Sequence, residues 1–80
     1  MATQSDIRKW MENEITITAD YHTPKGIELV EDLARDCFEY FYIEQYPRIR
    51  LNSREQIPGE YLETAMIVAR EYNKKYYVRH

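Results

Sequence analysis

Glu14-Ile15-Thr16-Ile17-Thr18-Ala19-Asp20-Tyr21 is the stretch on which the fold class turns. Polar and apolar residues alternate strictly along it and four consecutive positions are β-branched, the pattern of a half-buried strand. The same residues also extend a helical stripe in which Ile7, Trp10, Met11, Ile15, Thr18, Ala19 and His22 share one face. On the strand reading, Arg48-Ile49-Arg50-Leu51 supplies a partner, giving an α+β arrangement with a short ribbon from residues 14–21 and 48–51. A ribbon of two strands is marginal in water without further support. We therefore read the chain as all-α, a small helical bundle of about three helices, and keep the ribbon as the alternative.

Upstream, Ser5 is a good helix cap, and Asp6, Ile7, Trp10 and Met11 suit a helix reaching at least Asn13. Downstream, Thr23-Pro24 reads as a capping hydroxyl followed by a first-turn proline. From there Ile27, Val30, Leu33, Ala34, Cys37, Phe38 and Phe41 recur at helical spacing, opposite Glu28, Glu31, Asp32, Arg35 and Glu39. This helix ends before Pro47, and its last turns, Cys37 to Ile43, are apolar all round, which calls for neighbours on more than one side. A further helix runs from Pro58-Gly59 to about Tyr76, with Tyr61, Leu62, Ala65, Ala69, Tyr72 and Tyr76 in one stripe. Its acidic start (Glu60, Glu63) and basic end (Arg70, Lys74, Lys75) suit the helix dipole.

The chain has 80 residues and a net charge of -3, with 44% hydrophobic residues, 8 tyrosines, 2 glycines and 1 cysteine. That length predicts one small domain over residues 1–80, whose modest core leaves only a few kcal/mol to spare. A single cysteine excludes an internal disulfide framework and suits a reducing compartment. With no membrane-length apolar run, no signal-peptide pattern and a mean hydropathy of -0.74, the expectation is a cytoplasmic protein without a membrane partner. Charge is divided along the chain: residues 1–46 hold 4 basic and 10 acidic side chains, residues 47–80 hold 7 and 4.

Most catalytic apparatus is missing from the composition. Two glycines 33 positions apart build no phosphate-cradling loop. One cysteine and two histidines build no structural zinc site. Neither Ser5 nor Ser53 sits in a glycine elbow. Cys37, on an apolar face, reads as an inert small hydrophobe. His22, close to Asp20, has the chemistry for acid–base work, but its place before a turn fits better with a ring bonded to local backbone.

Glu28 and Glu31 are three residues apart, as are Glu60 and Glu63 further on, and two such pairs face to face would bind magnesium. This spacing resembles that of the all-α nucleoside triphosphate pyrophosphatases, whose metal site uses a Glu-x-x-Glu pair and a later Glu-x-x-Asp pair. The resemblance covers these four positions, with Glu63 standing where the family has aspartate, and it implies magnesium-dependent nucleotide hydrolysis. The surrounding core sequence of that family is absent. Nucleic-acid binding is a further alternative, through Lys74, Lys75 and Arg79 with Tyr76 and Tyr77 stacking on bases. Against it stand the overall negative charge and the acidic Gly59-Glu60-Tyr61-Leu62-Glu63 start of the last helix.

The leading expectation is a non-catalytic protein with no cofactor and no metal, which binds another protein or a second copy of itself. Its surface would carry Tyr40, Tyr42, Tyr46, Arg48, Arg50, Tyr72, Tyr76 and Tyr77, since tyrosine and arginine are enriched at interfaces. Small acidic chains of this kind often serve as regulators or inhibitors, including phage-encoded and other prokaryotic accessory proteins, and that analogy sets the functional expectation.

Overall fold

The computed structural model describes residues 2–45 and 57–77. They form three helices, α1 (Gln4–Ile17), α2 (Val30–Gln45) and α3 (Gly59–Tyr76), with one short ribbon of β1 (His22–Thr23) and β2 (Gly26–Ile27) between the first two. The fold is a small helical bundle.

The disputed stretch is helical through Ile17, and the reason lies in two isoleucines. A strand would place Ile15 and Ile17 on the same face, whereas a helix turns them about 200° apart. Ile15 is 2% exposed and Ile17 68% exposed, while Ile7, Met11 and Ile15 make a continuous buried i, i+4 stripe. Burying that stripe is worth about 1.5–3 kcal/mol per large side chain, more than the β preference of the four branched residues. The all-α reading holds for this stretch, and the alternative ribbon does not form from residues 14–17, which are helical; its other half, residues 48–51, lies outside the described residues.

The start of α1 differs from expectation by two residues. Thr3, not Ser5, is the cap: its hydroxyl accepts from the Asp6 N–H at 3.1 Å, and the Asp6 carboxylate accepts from the Thr3 N–H at 3.1 Å. This reciprocal capping box satisfies two otherwise orphaned donors and is worth about 1 kcal/mol. The bond from the Thr3 backbone, followed by that from its hydroxyl, holds the Asp6 carboxyl below its ordinary value.

Thr23-Pro24 does not start a helix. Thr23-Pro24-Lys25-Gly26 is the turn of the ribbon, in which His22 faces Ile27 and Thr23 faces Gly26. Proline second and glycine fourth are favoured turn positions. The Thr23 hydroxyl accepts from the Lys25 N–H at 3.2 Å and donates to the Gly26 carbonyl at 3.1 Å. With those four residues in the turn, α2 begins at Val30, and Glu31 and Asp32 lie in its first turn.

Asn73 of α3 fastens the ribbon to the bundle. Its side-chain oxygen accepts from the Ile27 N–H at 2.7 Å, and its amide donates to the Ile27 carbonyl at 3.0 Å. The amide thus stands in for a neighbouring strand. Gly26 packs against it with a φ of +122°, and a Cβ there would stand 2.5 Å from Asn73 Oδ1. Further along, Phe38 of α2 meets Tyr61 edge-on near the start of α3, with ring centroids 5.2 Å apart. These two contacts show that α2 and α3 run antiparallel. Ile7, Met11, Leu33, Cys37, Ala65 and Val68 fill the space between the helices.

Two buried groups carry protons firmly. Tyr21, 3% exposed, donates its hydroxyl to the Asp36 carboxylate. Burial, then that bond, raises the Tyr21 hydroxyl well above its ordinary value. Cys37 is fully enclosed, and burial pushes its thiol up to about 12. It behaves as the small hydrophobe expected from its position.

Candidate functional site

The tyrosines expected to share one surface are divided between separate clusters. Tyr40 packs against Trp10, tilted, and Phe41, edge-on, with centroids 5.6 and 5.1 Å away. Tyr42 lies 5.4 Å from Phe38. Tyr72, Tyr76 and Tyr77 gather at the far end of α3, where Tyr72 lies 4.6 Å from Tyr76 and 6.2 Å from Tyr77. Trp10, which holds the Tyr40 cluster, is on roughly the opposite side of α1 from Glu12, which faces α3. Tyr46, Arg48 and Arg50 lie outside the described residues.

The α3 cluster is built by a histidine. His22 reaches back to the end of α1, where Nε2 is 2.8 Å from the Ile15 carbonyl, and Nδ1 is 3.0 Å from the Tyr77 hydroxyl. A carbonyl only accepts, so Nε2 carries a proton; in the neutral ring, Nδ1 then accepts from Tyr77. The Ile15 carbonyl is one of the orphaned acceptors of a helix C-terminus, and His22 satisfies it. The ring also meets Tyr72 edge-on at 5.4 Å. One side chain thus ties the ends of α1 and α3 together and contacts both Tyr72 and Tyr77.

Beside this cluster, α1 and α3 leave a cleft of about 300 Å³, walled by Glu12, Ile15, Thr16, Val68, Glu71, Tyr72, Lys75 and Tyr76. A shallower hollow continues from it around Ile17, Thr18, Ala19 and His22, sharing Ile15, Thr16 and Tyr72. Two apolar side chains stand out at this face: Ile17 at 68% exposure and Tyr76 at 59%. Charges frame the cleft. Arg8 pairs with both Glu12 and Glu71, spanning the two helices, and the Lys75 ammonium lies 5.3 Å over the Tyr76 ring.

Other expected constellations are not assembled. Glu28 precedes α2 and Glu31 opens it, at the end where Ile27 meets Asn73. Glu60 and Glu63 sit at the opposite end of α3, with Glu63 ten residues before Asn73, or about 15 Å along the axis. The two pairs therefore share no ion, and no cluster of three metal-binding side chains occurs among the described residues. Lys74 and Lys75 diverge: Lys75 walls the cleft, and Lys74 lies about 100° further round the helix. Arg79 is outside the described residues.

The ring excess expected at the end of α2 is smaller than its composition implies, because Phe38 and Phe41 are partly buried against the core. Sequence reading missed Ile17. Its signal was present: once Ile7, Met11 and Ile15 form the buried stripe, a helical Ile17 must face outward. Comparison with known families, curated proteins and solved structures finds no match to this chain. No helix among the described residues is long and apolar enough to cross a membrane.

Proposed function

We propose that this protein is a small non-catalytic interaction module of the cytoplasm, a regulatory or accessory protein whose working surface is the face between α1 and α3. One observation carries the reading: Tyr76, largely exposed, walls the α1/α3 cleft, and the hollow that continues from it carries the exposed Ile17 together with His22, which meets the Tyr72 wall edge-on. Rigid aromatic side chains lose little conformational freedom on docking, and recessed apolar ground between them favours partner side chains. The mixed charges at the rim supply orientation more than affinity.

The tagged chain, presented to proteins of its own cell, is expected to retain a partner through this face. Ile17→Asp combined with Tyr76→Ala should reduce that retention at least about tenfold, or ~1.4 kcal/mol, while Tyr40→Ala leaves it nearly unchanged. Equal retention by the wild type and the Ile17/Tyr76 variant would overturn the assignment of the face. Retention of nucleic acid instead of protein, weakening with salt and with Lys75→Gln, would transfer the function to the alternative class.

A further inference from the structure

We propose that the occupant of the α1/α3 face is a second copy of this chain, docked about a twofold axis beside α3, midway between Glu71 and Lys75. This rests on the interaction reading above and names its partner. A surface that meets its own copy must be self-complementary, since each group on it faces a counterpart from the same patch. A patch of one sign repels its copy, whereas a patch with both signs laid out in sequence attracts it.

The cleft has that character. Its charged wall residues Glu12, Glu71 and Lys75 reach a sum of zero with Arg8, which bridges the two carboxylates from beside the cleft, on a chain whose net charge is -3. Glu71 and Lys75 are one turn apart on the same wall, about 6 Å along α3. A twofold axis between them sets Glu71 against Lys75 of the second copy, and Lys75 against Glu71, so the attraction occurs twice. Shape follows the same rule. The patch carries both a projection, Tyr76, and the recess beside it, so each copy offers a ring and a place for one. A polyanion gains nothing from a patch of zero net charge, and neither does a strongly charged peptide.

Sedimentation velocity across about 1 µM to 1 mM should show the mass rising from 9.8 kDa to twice that value. Lys75→Glu and Glu71→Lys should each weaken self-association at least about tenfold, because each sets like charges against one another twice. An equimolar mixture of the two variants should recover to within about threefold of the wild type, since both pairings become attractive again. Tyr76→Ala should weaken association without changing any charge, with circular dichroism as the check that each variant keeps its helices. A wild type that stays monomeric throughout would overturn the proposal, as would a dimer indifferent to either charge reversal or a mixture no tighter than its components. If that monomer still retained a foreign protein through Ile17 and Tyr76, self-docking would fall while the interaction module stood.

Discussion

Gly26→Ala is expected to remove at least about 3 kcal/mol of stability, a large share of what an 80-residue domain possesses. Two costs combine. At a φ of +122° an L side chain is strained by about 1–3 kcal/mol. The added methyl also stands 2.5 Å from Asn73 Oδ1 and must displace it, breaking both bonds to Ile27 at about 1 kcal/mol each. Urea unfolding measures the sum, and a double-mutant cycle separates its parts. In an Asn73→Ala background the clash is gone, so Gly26→Ala should cost only the backbone strain, about 1–2 kcal/mol less than in the wild type. A cost below about 0.5 kcal/mol in the wild type, or strict additivity in the cycle, would contradict the clamp.

Alkali should begin to weaken the protein before any tyrosine ionises in the unfolded chain. The Cys37 thiol rises from its ordinary 9.0 to about 12 in the folded state, and burial is the main cause. A group whose folded pKa is raised contributes stability that is complete below its unfolded pKa. That contribution is lost as pH rises towards the folded value. For Cys37 the window is therefore about pH 9 to 12, with a loss of about 1.4 kcal/mol per pH unit and about 4 kcal/mol across it. Tyr21 and Tyr61, both raised chiefly by burial, add to the slope above about pH 10. Unfolding free energies measured in reductant at half-unit steps from pH 8 should bend downward near pH 9. Cys37→Ala should start lower but stay flat until tyrosine ionisation begins. Parallel curves for the two proteins would show that the thiol is not enclosed as described.

Much of the architecture is legible in the sequence, for reasons specific to particular residues. α3 was legible from Pro58-Gly59 to Tyr76 because its apolar stripe, acidic start and basic end all agree. α1 was ambiguous because Ile15 and Ile17 serve a strand and a helix equally well until a core chooses between them. Thr23-Pro24 reads in sequence as a helix start, and the structure makes it part of a turn, because a hydroxyl followed by proline belongs to both vocabularies. The glycine two places on was the deciding sign. Asn73 could not have been foreseen, since a polar residue near a helix end announces nothing of a bond 46 positions away.

The proposed docking face is half legible in the sequence. Tyr72, Tyr76 and Tyr77 were expected to act at a surface, and they do gather, but away from the Tyr40 cluster. Tyrosine spacing along a helix gives the angle of each ring and says nothing of which neighbouring helix it meets. His22 fits the reading of a ring bonded to local backbone, although the carbonyl belongs to the end of α1 and not to the loop.

The assignment of function to the α1/α3 face is tested most directly by photo-crosslinking in living cells. A benzophenone side chain in place of Tyr76 reports what lies within contact of the cleft; the same group in place of Glu63, exposed at the other end of α3, reports background. Protein adducts, of the chain with itself or with another protein, should form at position 76 and be scarce at position 63. Equal yields at the two positions, or none at position 76, would contradict a docking role for this face.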